Sequence, residues 1–243
     1  MKILSIDTSS NICGVSILDD SNLICNLDND TGRTHSENLM PMIKGALSKS
    51  NLTLNEIDLI VCDIGPGSFT GIRIGIATVK AFNDSLNIPC IGISSLEALA
   101  YNINNNSSLV CSILDSKNDN CYFALYERKE KLFETLIEPQ AEDIYSALSI
   151  LKSYIDDNFE NSNITFVGDG SKIYETQIKE TFNDSLIADE NQDNLNSYNL
   201  GICGYQKFVN SGCINEDILP LYLKKPQAQK LLEEKMKGTS NNE

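Results

Sequence analysis

The chain has 243 residues and a formal net charge of −15, with 19 lysines and arginines against 34 aspartates and glutamates. A protein that grips nucleic acid by itself needs a basic surface to displace counterions, so this charge argues against direct binding. No stretch approaches the ~18 consecutive apolar residues of a membrane span, and the N-terminus is charged too early for a secretory signal. The length suits one large domain or two lobes.

The eight cysteines are scattered along the chain and form no C-x-x-C pair. Free cysteine inside an apolar run behaves as a small hydrophobe, and zinc requires clustered ligands. The cysteine pattern therefore predicts structural thiols in a reducing cytoplasm, with no metal site.

The first hundred residues alternate apolar runs with polar turns, which predicts a three-strand meander followed by alternating helices and strands. Ser68 is a candidate helix N-cap, and Ser94 begins a capping-box pattern that ends at Glu97. The predicted strands are residues 2–8, 12–18, 22–27, 59–64 and 88–93, and the predicted helices are residues 34–50, 68–86 and 94–101.

After a polar stretch at residues 102–108, the order partly repeats. The predicted strands are residues 109–114, 121–127, 131–137 and 164–167, and the predicted helices are 143–155, 172–181 and, after a loose Asn- and Asp-rich connection at 184–199, 200–211. Two consecutive β-β-β-α-β-α units are typical of the duplicated actin-like α/β fold (ASKHA, ribonuclease H-like), in which each lobe is a mixed sheet flanked by helices.

This order predicts a first lobe at residues 1–102, joined by the helix at 200–211, and a smaller second lobe at 103–199. Residues 224–243 form a charged tail that we expect to be flexible.

A glycine-rich run, GPGSFTGIRIG at residues 65–75, connects a strand to a helix. Backbone N–H groups at such a turn can bind an anion, although the run matches neither a Walker loop nor a Rossmann fingerprint. Gly65, Gly67 and Ser68 are therefore candidate nucleotide contacts. The alternative is a turn that only caps a helix.

The first hairpin turn offers further candidates, because actin-like ATPases cradle phosphate there. Asp7 stands where it could hold a metal or water, and Thr8 and Ser9 could donate hydroxyl hydrogen bonds. The glycine that lets the backbone approach a phosphate is missing, and these residue types also form ordinary turns. The sequence Gly168-Asp169-Gly170-Ser171 is a second candidate phosphate nest, or a tight strand-to-helix turn.

His35 is the only histidine, at the start of a predicted helix. A catalytic zinc or iron site needs about three protein ligands, and no second histidine follows at helical spacing. A surface histidine at a helix N-terminus is the favoured interpretation.

Gly71 and Gly75 fall on one face of the helix at 68–86. Two interior glycines cost about 2 kcal/mol of helix propensity relative to alanine, so a close packing partner should offset them. Small residues four apart allow another helix to approach, either from this chain or from another chain. The helix at 34–50 adds a broad apolar surface that includes Met40, Met42 and Leu47.

Six motifs, in order along nearly the whole chain, resemble the bacterial TsaB (YeaZ) family of tRNA threonylcarbamoyladenosine biosynthesis. They are LSIDTS at 4–9, HSENLMP at 35–41, the glycine run at 65–75, SSLEALA at 94–100, ILD with YFALY at 113–115 and 122–126, and PLYLK at 220–224. Asn38, Cys62 and Asp63 depart from the family's usual small or apolar residues, and we expect them to alter packing at the lobe surface.

The resemblance implies the actin-like fold and a non-catalytic subunit that pairs with and activates its paralogue TsaD, the catalytic subunit, which uses a metal held by a histidine pair. It also implies a cytoplasmic protein without membrane association, a ternary complex with the ATPase TsaE, a homodimer when TsaD is absent, and tRNA contact only through the complex. No intrinsic cofactor is implied, although ATP or ADP could lie at the subunit interface.

The family's interface uses the first two helices of the N-terminal lobe. Mapped onto this chain, it comprises His35, Leu39, Met42, Ile43, Phe69, Gly71, Ile72, Arg73, Gly75, Ile76 and Val79. Two alternatives remain: an independent actin-like ATPase working through Asp7 and residues 168–171, and a metalloprotease using His35.

Overall fold

The computed structural model describes residues 1–29, 34–105, 107–130, 132–160, 163–212 and 217–224. The strands are β1 (Lys2–Asp7), β2 (Cys13–Asp19), β3 (Asn22–Asn29), β4 (Leu59–Gly65), β5 (Cys90–Ser94), β6 (Leu109–Asp115), β7 (Asn120–Lys129), β8 (Leu132–Asp143), β9 (Ile164–Val167) and β10 (Leu186–Ile187). The helices are α1 (His35–Lys49), α2 (Phe69–Leu86), α3 (Ser95–Ala100), α4 (Ile144–Asn158), α5 (Asp169–Ile173), α6 (Glu175–Thr181) and α7 (Ser197–Ser211).

The strands form two five-stranded sheets with the same topology. The first has the order β3-β2-β1-β4-β5, and the second has the order β8-β7-β6-β9-β10. In each sheet the first three strands are antiparallel, and the two later strands pair in parallel. The duplication that the element order predicted is therefore confirmed.

Both faces of the first sheet are covered by helices. On β1, Leu4 and Ile6 point to one face and pack with α1 and α2, while Ile3 packs on the other face with α3 and α7. α7 thus belongs to the core of the first lobe although it comes last in the sequence.

The short helix α3 connects the two cores. Ala98 packs in the core of the first lobe, whereas Leu96 and Leu99 pack with Val110 and Tyr126 of the second lobe. The second sheet has its other face covered by α4 and α6.

Most predicted elements are confirmed, with three corrections in detail. The helix expected at 172–181 is divided into α5 and α6 at Tyr174, and the two-residue strand β10 lies in the segment expected to be a loose connection. Ser94 caps α3 through the N–H of Leu96, but Glu97 pairs with Lys207 on α7 instead of completing a capping box. An ion pair with α7, in which Glu97 is buried and Lys207 is 40% exposed, takes the place of the local capping hydrogen bond.

Every cysteine in the described ranges is a buried free thiol, and Cys213 lies outside those ranges. Asn38, Cys62 and Asp63 are buried as well, so the expectation that they alter the lobe surface is wrong. Residues 225–243 of the predicted charged tail also lie outside the described residues. No helix in the ranges the structure describes is long and apolar enough to cross a membrane.

Candidate functional site

The turn after β1 is closed by its own side chains. The Oδ1 atom of Asp7 accepts hydrogen bonds from the backbone N–H and the hydroxyl of Ser9, each at 2.8 Å. Asp7, Thr8 and Ser9 are all buried. Asp and Ser side chains can close a turn in this way without a glycine, so the Asp7 carboxylate is used inside the turn.

The glycine run packs directly against this turn. A Cβ atom on Gly67 would lie 2.3 Å from the carbonyl oxygen of Ser9, and one on Gly71 would lie 1.9 Å from the carbonyl oxygen of Thr8. A Cβ atom on Gly75 would lie 2.5 Å from Thr8 Oγ1. At Gly67 and Gly71 a side chain would collide with the backbone of the turn, and at Gly75 it would collide with the hydrogen-bonded Thr8 side chain.

The expectation that Gly71 and Gly75 make room for another helix is therefore corrected. The Thr8 hydroxyl donates to the carbonyl oxygen of Gly71 at 2.8 Å, and the N–H of Ser68 donates to the carbonyl oxygen of Ser9 at 2.7 Å. The close neighbour is the chain's own turn, because β1 and β4 are adjacent parallel strands and end at the same edge of the sheet.

Two buried carboxylates flank the hydroxyl of Ser9. Ser9 Oγ lies 2.8 Å from Asp7 Oδ1 and 2.9 Å from Asp63 Oδ2. Asp63 Oδ1 accepts hydrogen bonds from the Gly65 N–H at 2.6 Å and from the Ser95 hydroxyl at 2.7 Å. The Ser9 hydroxyl has one proton and can donate to only one of the two carboxyl groups.

The other carboxyl group can bond to Ser9 Oγ only if it carries a proton of its own. Burial, followed by the charge of Asp7, raises the pKa of Asp63 well above its usual value. Burial also raises the pKa of Asp7, against the hydrogen bonds from Ser9. We assign the proton to Asp63, which donates it to Ser9 Oγ while the Ser9 hydroxyl donates to Asp7, so that one negative charge is buried instead of two.

His35, the first residue of α1, forms a hydrogen bond with the same turn. Its Nε2 atom lies 2.8 Å from the carbonyl oxygen of Ser10 and so is the ring nitrogen that donates. Among the residues that the structure describes, no group of three or more His, Cys, Asp or Glu side chains could hold a metal ion. The geometry gives His35 a packing and hydrogen-bonding task.

A cleft of about 410 Å³ opens between the lobes beside this turn. Of the predicted nucleotide contacts, Ser9, Gly67 and Ser68 line the cleft, whereas Asp7, Thr8 and Gly65 do not. The other lining residues are Ser10, Asn11, Pro66 and Phe69 from the first lobe, Leu114, Asp115, Ser116, Lys117, Tyr122 and Asp169 from the second, and Leu195.

The second lobe contributes a negatively charged wall. Asp115 accepts hydrogen bonds from Lys117 Nζ at 2.7 Å and from the Tyr174 hydroxyl at 2.8 Å. Burial works to raise the pKa of Asp115, but these hydrogen bonds outweigh it and the pKa is lowered. Asp169, whose pKa is raised mainly by burial, accepts a hydrogen bond from the Asp115 N–H at 2.9 Å.

The candidate phosphate nest at 168–171 has the geometry of a tight strand-to-helix turn. Gly168 has a φ of 102°, and a Cβ atom there would lie 2.3 Å from the carbonyl oxygen of Ile113. This turn therefore requires glycine for packing inside the second lobe.

The cleft does not fit the phosphate chain of a nucleotide. The N–H of Ser68 is bonded to Ser9, the hydroxyl of Ser68 accepts from Gly71, and the N–H of Ser9 is bonded to Asp7. The opposite wall presents two carboxylates and a lysine that is already paired with one of them. ATP or ADP at a subunit interface stays a prediction, but the groups that an ATPase directs at phosphate are engaged here within the protein.

The sequence of this chain is similar to those of a known family of proteins. A model of the family described as tRNA N6-adenosine threonylcarbamoyltransferase (TsaD) matches residues 29–231. The tRNA threonylcarbamoyladenosine biosynthesis protein TsaB of Bacillus subtilis is 28% identical over 230 residues, which is 94% of this chain and 96% of that protein. The chain belongs to the TsaD family, in its TsaB (YeaZ) branch.

A second relative agrees with this placement, and a solved structure agrees with the fold. TsaB of Escherichia coli is 32% identical over 132 residues, 54% of this chain and 57% of that protein. The structure of YeaZ from Pseudomonas aeruginosa superimposes with a TM-score of 0.75 at 21% identity, covering 91% of this chain and 99% of that one. At that identity the structural likeness shows the fold alone, and with the repeated sheet topology it confirms the duplicated actin-like fold.

The residues predicted as the interface of a TsaB-type subunit divide into two groups. Most are buried in the core of this chain: Leu39, Met42, Ile43, Gly71, Ile72, Gly75, Ile76 and Val79. His35 and Phe69 are half-buried, and Arg73 is exposed. The interface itself stays a prediction, but a partner of the folded chain would meet the outward face of α1 and α2.

That outward face contains a groove that the predicted set largely missed. Its volume is about 410 Å³, and its lining is mostly apolar: Met40, Ile43, Lys44, Leu47, Ser48, Leu52, Leu54 and Phe82. Met40 is 51% exposed although it stands beside the buried Leu39. The apolar residues Met40 and Leu47 on α1 could have predicted this groove. The sequence did not show which of the apolar residues of α1 face the sheet and which face outward.

Proposed function

We propose that this chain is a non-catalytic partner subunit of the complex that forms threonylcarbamoyladenosine in tRNA. In this proposal it pairs with TsaD and activates it, and TsaD transfers threonylcarbamoyl to an adenosine next to the anticodon of ANN-decoding tRNAs. The observation that carries the proposal is the apolar groove on the outward face of α1 and α2, in a chain whose glycine turn has its polar groups engaged within the protein.

The groove supports a protein partner because apolar surface of this kind gains free energy when another apolar surface covers it. TsaD gives its name to the family whose model spans this chain, so a partner of that kind would bring an equivalent helix pair. Two such pairs can pack as a four-helix interface, and a second copy of this chain could occupy the same surface when TsaD is absent.

The charge fits an accessory task. At a net charge of −15 the chain would repel tRNA, so tRNA contact would come through the complex. The proposal includes TsaE as a third component and a cytoplasmic location.

Complex formation with TsaD of the same organism tests the pairing. We expect Met40→Asp to weaken the complex at least about tenfold, measured by light scattering or calorimetry, because it places a charge in the apolar groove. The matched control is Tyr145→Asp on α4 of the second lobe, where the side chain is 66% exposed and the change should be silent. Equal effects of the two substitutions on the affinity would show that the groove is not part of the interface with TsaD.

Activation is tested separately, by tRNA modification with TsaD and TsaE in the presence and absence of this chain. Modification by this chain without TsaD would contradict the accessory role. So would ATP hydrolysis by the isolated chain that Asp7→Ala abolishes, since it would make the chain an independent ATPase.

A further inference from the structure

Residues 217–224, which we call the strap, run back along the first lobe after α7. Asp217 pairs with Lys80 on α2, and Ile218 is only 2% exposed in the core of the first lobe. The N–H of Leu221 donates to the carbonyl oxygen of Ile64 at 2.8 Å, at the end of β4. The strap is therefore fixed to the first lobe up to the edge of the cleft.

At that edge the strap docks on α2 through Tyr222. Its ring stacks on Phe69 with the centroids 4.8 Å apart and the planes at 14°. Arg73 Nε donates to the Tyr222 hydroxyl at 2.6 Å, and the guanidinium lies 5.4 Å from the centre of the Tyr222 ring. Stacking, a hydrogen bond and a cation–π contact together hold one side chain in one place.

Two residues later the strap reaches the other lobe. Lys224 Nζ donates to the hydroxyl of Ser116 and lies 5.4 Å from the centre of the Tyr122 ring. Ser116 and Tyr122 flank the β6–β7 hairpin, and both line the cleft, as does Phe69 on the opposite side. The strap thus contacts both walls of the cleft within three residues.

We propose that the strap is a latch that spans the mouth of the cleft, with Tyr222 as its anchor on α2 and Lys224 as its catch on the second lobe. The latch ties the cleft wall at β6–β7 to the N-terminal end of α2. A partner that binds Phe69 or Arg73 would move Tyr222 and release Lys224, so docking on α2 and opening of the cleft would be coupled. The latch is a property of the isolated chain and does not depend on the proposed pairing with TsaD.

Hydrogen exchange on the full-length chain tests the latch. A lysine hydrogen bond with a cation–π contact corresponds to about a fivefold change in a local opening equilibrium. We therefore expect Lys224→Ala to speed exchange about fivefold in residues 114–123, with α4 and β4 unchanged. Tyr222→Ala should speed exchange in the same segment, because it frees the anchor on which the position of Lys224 depends.

The matched control is Leu219→Ala. Leu219 lies on the same strap, is 61% exposed and is not among the residues that line the cleft. The latch is overturned if Lys224→Ala and Tyr222→Ala leave residues 114–123 at the wild-type exchange rate. It is equally overturned if exchange rises by the same factor in α4, since that would report general loss of stability.

A fluorescence measurement gives an independent readout, because the chain contains no tryptophan. In a Tyr122→Trp background the single indole reports access to the cleft while keeping an aromatic face for Lys224. Adding Lys224→Ala should increase the acrylamide quenching constant about twofold, whereas adding Leu219→Ala should not. An unchanged quenching constant with Lys224→Ala would contradict the latch.

Discussion

In the first lobe β1 ends at Asp7 and β4 ends at Gly65, whereas in the second lobe β6 ends at Asp115 and β9 leads into Gly168. These positions are equivalent in the two sheets, and the two glycines share a φ of 101° and 102°. The two aspartates at the ends of β1 and β6, Asp7 and Asp115, have different surroundings. Asp7 is buried and meets Asp63 at the Ser9 hydroxyl, whereas Asp115 is hydrogen-bonded to Lys117 and Tyr174 and lines the cleft.

The difference shows that duplication of a fold preserves backbone turns more readily than the surroundings of their side chains. In the first lobe, Gly67 before α2 and Gly71 and Gly75 on α2 pack against the turn, so the turn is buried between β1 and α2. In the second lobe the equivalent helix α5 ends at Ile173, so the turn remains a wall of the cleft.

The largest expected effect is a difference in stability between glycine substitutions in the two lobes. Gly71→Ala places a Cβ atom 1.9 Å from a backbone oxygen, which cannot move without moving β1, so we expect a loss of more than about 3 kcal/mol in the free energy of unfolding. In Gly170→Ala of the second lobe, the Cβ atom would lie 2.4 Å from Ile113 Cγ2 and 3.0 Å from the Ile113 carbonyl oxygen; this backbone contact is less severe, so the substitution should cost less. Urea denaturation measures both.

Gly45→Ala on α1 is the control for these substitutions. Its nearest neighbour would be Leu27 Cδ1 at 3.6 Å, an ordinary contact, so alanine there should stabilise the chain by about 0.5–1 kcal/mol. A larger loss at Gly170 than at Gly71 would reverse the comparison between the lobes.

The buried carboxylate pair should give the first lobe an unusual pH dependence. A carboxyl group with a raised pKa in the folded state contributes stability that is present below the unfolded pKa of about 4 and lost as the pH rises through the folded pKa. Asp63→Asn needs no proton, and its amide can donate to Ser9 while its oxygen accepts from Gly65 and Ser95. We expect it to be about 2 kcal/mol more stable at pH 7.5, with a flatter pH profile.

Thermal unfolding of Asp63→Asn and the parent chain between pH 4 and 8 measures this prediction. A substitution that destabilises the chain equally at every pH would show that Asp63 does not carry the proton.

The contribution of Asp115 in the second lobe to stability should depend on pH in the opposite direction. The pKa of Asp115 is lowered in the folded state, so its contribution is present above the unfolded pKa and is lost as the pH falls through the folded pKa. We expect Asp115→Asn to lose about 1 kcal/mol at pH 7 and to approach the parent chain as the pH falls through the folded pKa of Asp115. The same melting series measures it, and a difference that persists at low pH would assign the effect to packing.

The smallest expected effect concerns the helices that follow the two meanders. Asp143 caps α4 by accepting hydrogen bonds from Tyr145 and Ser146, whereas Thr34 before α1 makes no side-chain cap. Asp143→Ala should therefore cost about 1 kcal/mol and Thr34→Ala only a few tenths, measured by urea denaturation. Equal costs would mean that the cap geometry does not distinguish the two lobes.

The sequence alone predicted nearly all of the strands and helices, because their apolar periodicity and end signals are local. The strand at 164–167 and the Ser68 cap on α2 are direct examples. It missed β10, whose two residues are too few to show a period, and it joined α5 to α6 because the break at Tyr174 carries no glycine or proline. Both misses are of short elements, in which apolar periodicity has few residues to act on.

The candidate site was harder to predict because burial depends on which elements meet. Gly71 and Gly75 were correctly identified as positions of close approach, but the approaching backbone is Thr8, more than sixty positions earlier. Asp63 was expected to affect the lobe surface and is instead bonded to Ser9 and Ser95.

By itself the sequence determined the repeated order of elements, the close approach at Gly71 and Gly75, and the resemblance to the TsaB family. These features are carried by residue type and spacing along the chain. Only the tertiary structure decided that the glycine face of α2 turns inward, that two carboxyl groups meet at the Ser9 hydroxyl, and that the strap reaches both lobes. Each of those depends on contacts between residues far apart in sequence, which local periodicity does not encode.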